Sequence, residues 1–489
     1  MAEDVMSFLN GDDLPTFDAW MDAAKSVVTE DLFEELLYTD LGSGIRTEPI
    51  YIHQDNPVNP VYPSLGTSRR ASNIAGQLLG WEIRQRYWVK SQEETNAAIL
   101  NDLQNGTNSI ELVLSEVDSS AFERLLDGVL LNIAGVAPTN LLDSLGNAES
   151  FLKFIDSKGK AAEEFIFDLS IDPLGELFRN SQDLASTQSA LDAGGSIALR
   201  AQQEFKKATT FRVDGLAYAE AGADPITELA GISSSVIAYL QSMDRAGVSL
   251  AEAFSQIHVV TSVGTDQFFD IAKLRALRIL ISRIGQACGV NHVHLKTQAS
   301  LPQFLISKTD PWINLLRTTV GCFSAATGGA DTISLPPFDS AFGIPDDFGM
   351  RLARNTQLVL MEESNIHKVI DPAGGSWYVE SLTDQIAQMA WERFQLIEKN
   401  GGITQEIISG SFRKSISDNR DQYKEQIRNK ERILIGVNDF LESEKTNLQR
   451  RPYPEPLKMR TESKSQTGPD FRISDLSSEA EAEGDSNDS

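Results

Sequence analysis

Residues 211–243 read FRVDGLAYAEAGADPITELAGISSSVIAYLQSM. The stretch opens as a short strand-like run, TFRVD if Thr210 is included, and breaks at Gly215. It then continues as a helix. In ITELAGISSSVIAYLQSM (226–243), Leu229, Ile232, Val236, Tyr239, Leu240 and Met243 fall on one apolar stripe. Strand, glycine and amphipathic helix together make one unit of an alternating chain. Just after the break stand Leu216 and Ala217, two side chains that can neither move a proton nor attack a carbon.

The same alternation runs through the middle of the chain. Strands are expected at SIELVL (109–114), LLNIA (130–134), FIFDLS (165–170), TFRVD (210–214), IHVVTSV (257–263), HVHLKT (292–297), DTISLP (331–336) and HKVID (367–371). Helical stretches separate most of them. One helix is expected to start at Ser381, where SLTD resembles a capping box. Leu382, Ile386, Met389 and Ile397 form its apolar face, and Asn400-Gly401-Gly402 ends it. Eight strands joined by helical crossovers predict a single eight-stranded parallel α/β barrel ringed by helices, with a doubly wound open sheet as the other arrangement.

Of the 489 residues, 41% are hydrophobic, enough for a large core, yet no run of eighteen apolar residues is present to cross a membrane. The N-terminus, MAEDVMSF, is acidic and lacks the features of a secretory signal or an arginine-rich transit peptide. Cys288 and Cys322, the two cysteines, suit a reducing cytoplasm better than a disulfide framework. The net charge of −27 would repel nucleic acid. Residues 1–40 contribute −10 and residues 460–489 contribute −5. This excess serves solubility or docks an acidic arm on a partner.

VVTEDLFEELLYTD (27–40) reads as an amphipathic helix, and four prolines between Arg46 and Arg69 favour an extended arm. The tail, ending SSEAEAEGDSNDS, is expected to be disordered. The expected organisation is therefore an N-terminal helix and partner-binding arm (1–65), a barrel (66–445), and a linker with an acidic tail (446–489).

In a barrel of this kind chemistry sits where strands end. The expected strands deliver Leu216, Ala217, Gln298, Ser300, Pro337, Phe338 and Asp371 to that rim, without clustered His, Cys or Lys. His292 and His294 share a strand face but lack a nearby third ligand for zinc; barrel packing or a surface pair is the plainer reading. Glu362-Glu363 reads as an acid/base pair or as two solvent-facing carboxylates. DPAGGS (371–376) reads as a phosphate cradle or a plain turn, and it lacks a P-loop lysine. TGGAD (327–331) reads as a helix end entering a strand.

RLARNTQLVLMEESNIHKVIDPAGGSWYVESLTDQIAQMAWERFQLIEKNGG (351–402) closely resembles the barrel domain of methylmalonyl-CoA mutase. GWEIRQRYWVKSQEETNA (80–97), DQFFDIAKLRALR (266–278) and LIGVNDF (434–440) agree, and the resemblance covers roughly residues 60–445. It implies a complex in which adenosylcobalamin supplies a radical and the acyl-CoA threads the barrel axis. Catalytic members carry Tyr-His in a segment similar to GYHMQEAGA; here GLAYAEAGA places Leu216 and Ala217 there. A segment similar to RTHSQTSG is KTQASLPQ here, so Gln298 and Ser300 replace histidine and glutamine. The arginine segment similar to GTIQNDILKEF has no counterpart between residues 139 and 210. RASNIAGQLLGWEIRQ stands where the family's TMY loop is expected, and the DxHxxG motif of the cobalamin domain is absent.

DPWINLLRTTVGCFSAATGGAD (310–331) is similar to the small, non-catalytic β subunit of heterodimeric members. The resemblance then implies no catalytic, cofactor or metal residues on this chain. Its partner would be the catalytic large (α) subunit, which holds adenosylcobalamin; the acyl-CoA substrate is bound in the complex, and no nucleic acid or membrane partner is expected. The complex would interconvert (R)-methylmalonyl-CoA and succinyl-CoA. The alternative is a barrel subunit of another acyl-CoA mutase that borrows cobalamin from a separate subunit. A metallochaperone would need a nucleotide-binding P-loop, which is not found.

Overall fold

The structure, a computed structural model, describes residues 17–28, 33, 37–51, 80–89, 91–114, 118–180, 184–291, 293, 295–442 and 448–453. Eight parallel strands close into a barrel: β1 (Glu82–Trp88), β2 (Ser109–Val113), β3 (Gly135–Thr139), β4 (Ile166–Ile171), β5 (Lys207–Asp214), β6 (Ile257–Ser262), β7 (Lys296–Ser300) and β8 (Thr332–Ser334). Each strand pairs with the next in sequence, and Thr332 of β8 closes the ring by pairing with both Gln298 and Glu82. This is the (β/α)8 barrel.

Helices cover the outside. They are α1 (Gln92–Gln104), α2 (Ser119–Leu125), α3 (Ser144–Ser157), α4 (Pro173–Asn180), α5 (Leu184–Glu204), α6 (Gly215–Glu220), α7 (Pro225–Ala246), α8 (Gln267–Ala287), α9 (Ile313–Thr327), α10 (Asp347–Leu358), α11 (Trp377–Lys399), α12 (Gly402–Ile408) and α13 (Ser411–Arg428).

The stretch 211–243 shows how one unit forms. Phe211 and Val213 point outward from β5 into the largest apolar cluster, where they join Leu229, Ile232, Val236 and Tyr239 of α7. The Phe211 and Tyr239 rings stack at 4.5 Å. Full burial of each such side chain is worth about 1.5–3 kcal/mol. A Cβ at Gly215 would come within 2.4 Å of Ile232 Cδ1 and 2.9 Å of the Val260 carbonyl oxygen, so only glycine lets strand and helix meet so closely. Asp224 caps α7 by accepting hydrogen bonds from the Ile226 and Thr227 amides, Pro225 opens its first turn, and left-handed Gly247 ends it.

Several strand expectations need correction. EIRQRYW is β1, and its run of charged residues hid it. LLNIA forms a turn whose Leu130 and Ile133 face solvent; the strand begins at Gly135. HKVID contains a short 3₁₀ turn (Ile366–Lys368), because exposed Val369 and Ile370 have no sheet to join. The strand expected at 292–297 runs instead over Lys296–Ser300, while His292 and His294 lie outside the described residues.

The helix expected from Ser381 starts a turn earlier, at Trp377 with Ser376 as N-cap, and ends at Asn400 as expected. In the head a helix runs over Phe17–Val27; half of the helix expected at 27–40 lies outside the described residues, and its last residues, Thr39 and Asp40, are in a strand. Thr39–Gly42 pairs with Ile45–Thr47 as a hairpin, and Ile45 plugs into the barrel's own core. The proline-rich segment 52–79 and the tail from 454 lie outside the described residues.

Candidate functional site

Because strand side chains alternate, the residues between those packed on helices point down the barrel axis. These inward residues are polar. β1 supplies Glu82, Arg84 and Arg86; β2 supplies Ser109 and Glu111; β4 supplies Asp168; β5 supplies Arg212 and Asp214. His258 comes from β6, and Lys296, Gln298 and Ser300 from β7. On β3 the inward positions are small, Gly135 and Ala137, which leaves room for the arginines opposite.

Two ion clusters fill the axis. In the first, Arg84 donates to Asp168 at 2.7 Å and to Ser109 at 2.8 Å. Lys296 joins Glu82 at 3.1 Å and Asp168 at 3.5 Å. In the second, Glu111 accepts from Arg212 at 2.9 Å and, through both oxygens, from Arg86 at 3.2 and 3.3 Å. Arg86 and Glu111 are direct register partners, which fixes that pair. The cluster continues through Asp214 to Arg179, then to Asp172 and the Tyr239 hydroxyl.

Gln298 joins the two clusters. Its Oε1 accepts from Arg84 at 2.8 Å, and its Nε2 donates to Glu111 at 3.4 Å. It is 0% exposed.

The titration behaviour follows from this arrangement. Burial alone pushes the Glu111 carboxyl up, but the guanidiniums of Arg86, Arg212 and Arg84 overcome it and hold the group well below the usual range. Asp168 is likewise pulled well below its ordinary value against burial, by Lys296, His258 and Arg84. Burial pushes His258 down to about 3, aided by the cations of Arg84, Lys296 and Arg212 and opposed by Asp168. Its imidazole is therefore neutral. The 3.5 Å approach of Nδ1 to Asp168 is not an ion pair, and neither ring nitrogen has a hydrogen-bond partner.

The four rim positions singled out in the sequence lie on two elements. Leu216 and Ala217 are buried in α6, just beyond Asp214. Gln298 lies within β7, and Ser300 ends that strand, buried. Asp371 is not at a strand end: it lies in a turn pinned by Arg275 at 3.2 Å. Glu362 and Glu363 face solvent. The charged axial residues escaped attention in the sequence, although EIRQR, IELV and FRVD each place a charge at alternate strand positions.

Two clefts open near the strand ends. One, of about 970 Å³, is lined by Arg86, Trp88, Glu94, Asp346 and Phe348 and crossed by Gln449–Arg451. A smaller cavity of about 240 Å³ borders Glu228, Ser262 and Lys273. There Glu228 accepts from Lys273 at 2.8 Å, and Lys273 also donates to Ser262 at 2.6 Å, so this set is already internally satisfied.

Fold and axis together define a (β/α)8 barrel with a largely buried, ion-paired interior. The family model described as "Methylmalonyl-CoA mutase" matches residues 71–467. The chain belongs to the methylmalonyl-CoA mutase family. It is 34% identical over 425 residues to a methylmalonyl-CoA mutase small subunit of Streptomyces virginiae, covering 86% of this chain and 68% of that one. To the small subunit of Propionibacterium freudenreichii subsp. shermanii it is 31% identical, covering 84% and 65%. A large subunit of Porphyromonas gingivalis (strain ATCC BAA-308 / W83) is 24% identical, with 85% and 59% covered. The matches thus span about two thirds of these small subunits' own length. Among the described residues, no helix is long and apolar enough to cross a membrane.

Proposed function

We propose that this chain is the non-catalytic small subunit of a heterodimeric, adenosylcobalamin-dependent methylmalonyl-CoA mutase, and that it stabilises the catalytic large subunit. The complex interconverts (R)-methylmalonyl-CoA and succinyl-CoA, and the large subunit holds both cofactor and acyl-CoA. One observation carries the reading: Gln298, where catalytic members resemble one another in a histidine, ties Arg84 to Glu111 across the axis through which the acyl-CoA is expected to thread. Passage of a pantetheine chain would have to break buried, charge-assisted hydrogen bonds.

Leu216, Ala217, Gln298 and Ser300 are in this reading the degenerate counterparts of reacting residues. In this reading adenosylcobalamin belongs to the large subunit, and His258, buried in the axis, takes no part in holding it. Residues 66–445 are assigned to the barrel and 446–489 to a linker and tail. Residues 1–65 form a partner arm whose hairpin stem is fixed to this barrel through Ile45.

The test is to purify this chain and a large subunit, then assay each alone and mixed, with adenosylcobalamin. Complex formation on size-exclusion chromatography, with turnover only where the large subunit is present, is expected. Turnover by this chain alone overturns the reading.

A further inference from the structure

The larger cleft at the strand ends is crossed by a piece of this same chain, residues 448–453. The Ile344 amide donates to the Arg451 carbonyl at 2.7 Å, so the segment adds one antiparallel bridge to the loop between β8 and α10. Gly343 makes that approach possible. Its φ is 145°, and a Cβ there would come within 2.3 Å of the Arg451 carbonyl oxygen.

Two side chains flank the bridge. Arg450 donates from Nε to Asp339, and its guanidinium lies 2.9 Å from Asp346. Asp339 is 0% exposed, and among the described residues Arg450 is the one cation paired with it. The Tyr453 hydroxyl donates to the Ser340 carbonyl at 2.7 Å, and its ring packs on Trp88 at 5.1 Å. Asp339, Ser340 and Ile344 of one loop are thus tied to Arg450, Tyr453 and Arg451. The pair between Arg451 and Glu94 is exposed on both sides and adds little. Arg450 is the anchor that matters, because lifting it away would leave the Asp339 carboxylate buried without a cation.

We propose that residues 448–453 are a clasp: docked on their own barrel, they lock the β8–α10 loop over the mouth of the axis on its β8–β1 side. The cleft they cross also borders Arg86, the partly exposed end of the axial ion cluster, with 19% of its side chain accessible. The docked clasp shields that guanidinium. The folded unit then ends at Tyr453 instead of residue 445, and the clasp is independent of the subunit reading above.

The experiment is limited trypsin digestion of the full chain under native conditions, read by mass spectrometry. The bond between Arg450 and Arg451 is cut only when the clasp lifts, because Ile344 holds the Arg451 carbonyl in place. The variants are Asp339→Asn, which removes the charge that holds Arg450, and Tyr453→Phe, which loses only the bond to Ser340. The control is Arg200→Gln, which breaks exposed ion pairs on α5. Cleavage after Arg450 should rise by about tenfold or more in Asp339→Asn. It should rise less, with the same sign, in Tyr453→Phe and stay unchanged in the control. Sites within the barrel helices should stay uncut on that timescale. Phenylglyoxal should modify Arg86 faster in Asp339→Asn, by about threefold or more, because local opening exposes it. Arg212, buried on β5, should react no faster. Equal cleavage after Arg450 in wild type and both variants overturns the clasp. Cleavage within the barrel as fast as after Arg450 does so too, since Asp339 would then support the whole fold. An unchanged Arg86 rate with faster cleavage after Arg450 overturns closure of the mouth.

Discussion

Glu111→Gln removes one charge from the barrel axis while keeping the side chain's shape. The carboxylate is 1% exposed and serves two guanidiniums, Arg212 at 2.9 Å and Arg86 at 3.2 Å. Losing one partner of a buried pair destabilises by about 3–5 kcal/mol, because the other charge stays buried without compensation. Arg212 fits that case, since its remaining carboxylate, Asp214, stands 3.8 Å away. Arg86 is partly exposed and retains some hydration, which places the expected loss near the middle, about 4 kcal/mol. Unfolding entropy of about 2.1 cal/mol/K per residue over roughly 370 barrel residues gives about 0.8 kcal/mol/K, so Tm should fall by about 5 °C.

Thermal unfolding at pH 7.5, followed by circular dichroism, measures this. Adding Arg212→Met removes the stranded charge, so the double variant should lose less than the sum of the singles by more than about 1 kcal/mol. The pH sign follows from a folded pKa below the unfolded one: the contribution of Glu111 is complete above the unfolded value, about 4.3, and is lost as pH falls toward the folded value. Wild type and variant should therefore converge only in strong acid. A Tm change under about 1 °C, or strictly additive losses in the double variant, would refute the argument that these charges are sealed and mutually dependent.

His258 titrates at about 3 in the folded chain, below its unfolded value, so its stabilising contribution is complete above about pH 6.5 and fades on acidification. At about 1.36 kcal/mol per pH unit, wild type should lose about 2 kcal/mol between pH 6.5 and 5 relative to His258→Gln, read by urea unfolding; parallel pH profiles would show that the ring is not sealed. Leu216→Tyr with Ala217→His should form no succinyl-CoA, since catalytic groups act as a unit and the axis stays closed. Both positions are buried, so overpacking should also cost about 1–3 kcal/mol. Measurable turnover by that double variant alone contradicts the reading.

The barrel was legible because most strands carry their outward residues, such as Phe211 and Val213, in apolar runs bounded by turns. β1 was not legible: Arg84 and Arg86 face the axis and disguise the alternation of Ile83, Gln85 and Tyr87. LLNIA misled because Leu130 and Ile133 are apolar residues of a turn, and apolar content alone does not distinguish an exposed patch from a strand.

At the site, sequence comparison identified Gln298 as a replaced histidine but not as a bridge. A bridge depends on Arg84 and Glu111, 214 and 187 residues away along the chain, which closure of the barrel brings together. Composition located just over half of the net negative charge in the termini, −15 of −27, whereas the ion pairs along the barrel axis set cations against carboxylates and leave little mark on net charge.

The interlock at Gln298 also gives the sealed interior a direction in evolutionary time. Reopening a passage would require changes at Arg84, Glu111, Asp168 and Gln298. A change at Arg84, Glu111 or Asp168 made first strands a buried ion, at about 3–5 kcal/mol out of a domain's 5–15 kcal/mol stability. Intermediate sequences would carry that loss with no gain in function, and selection for stability would disfavour them until the remaining changes arrived. The network thus acts as a ratchet: a descendant can drift at its surface and exchange partners, but a conduit through its centre lies across a fitness valley that single substitutions do not cross.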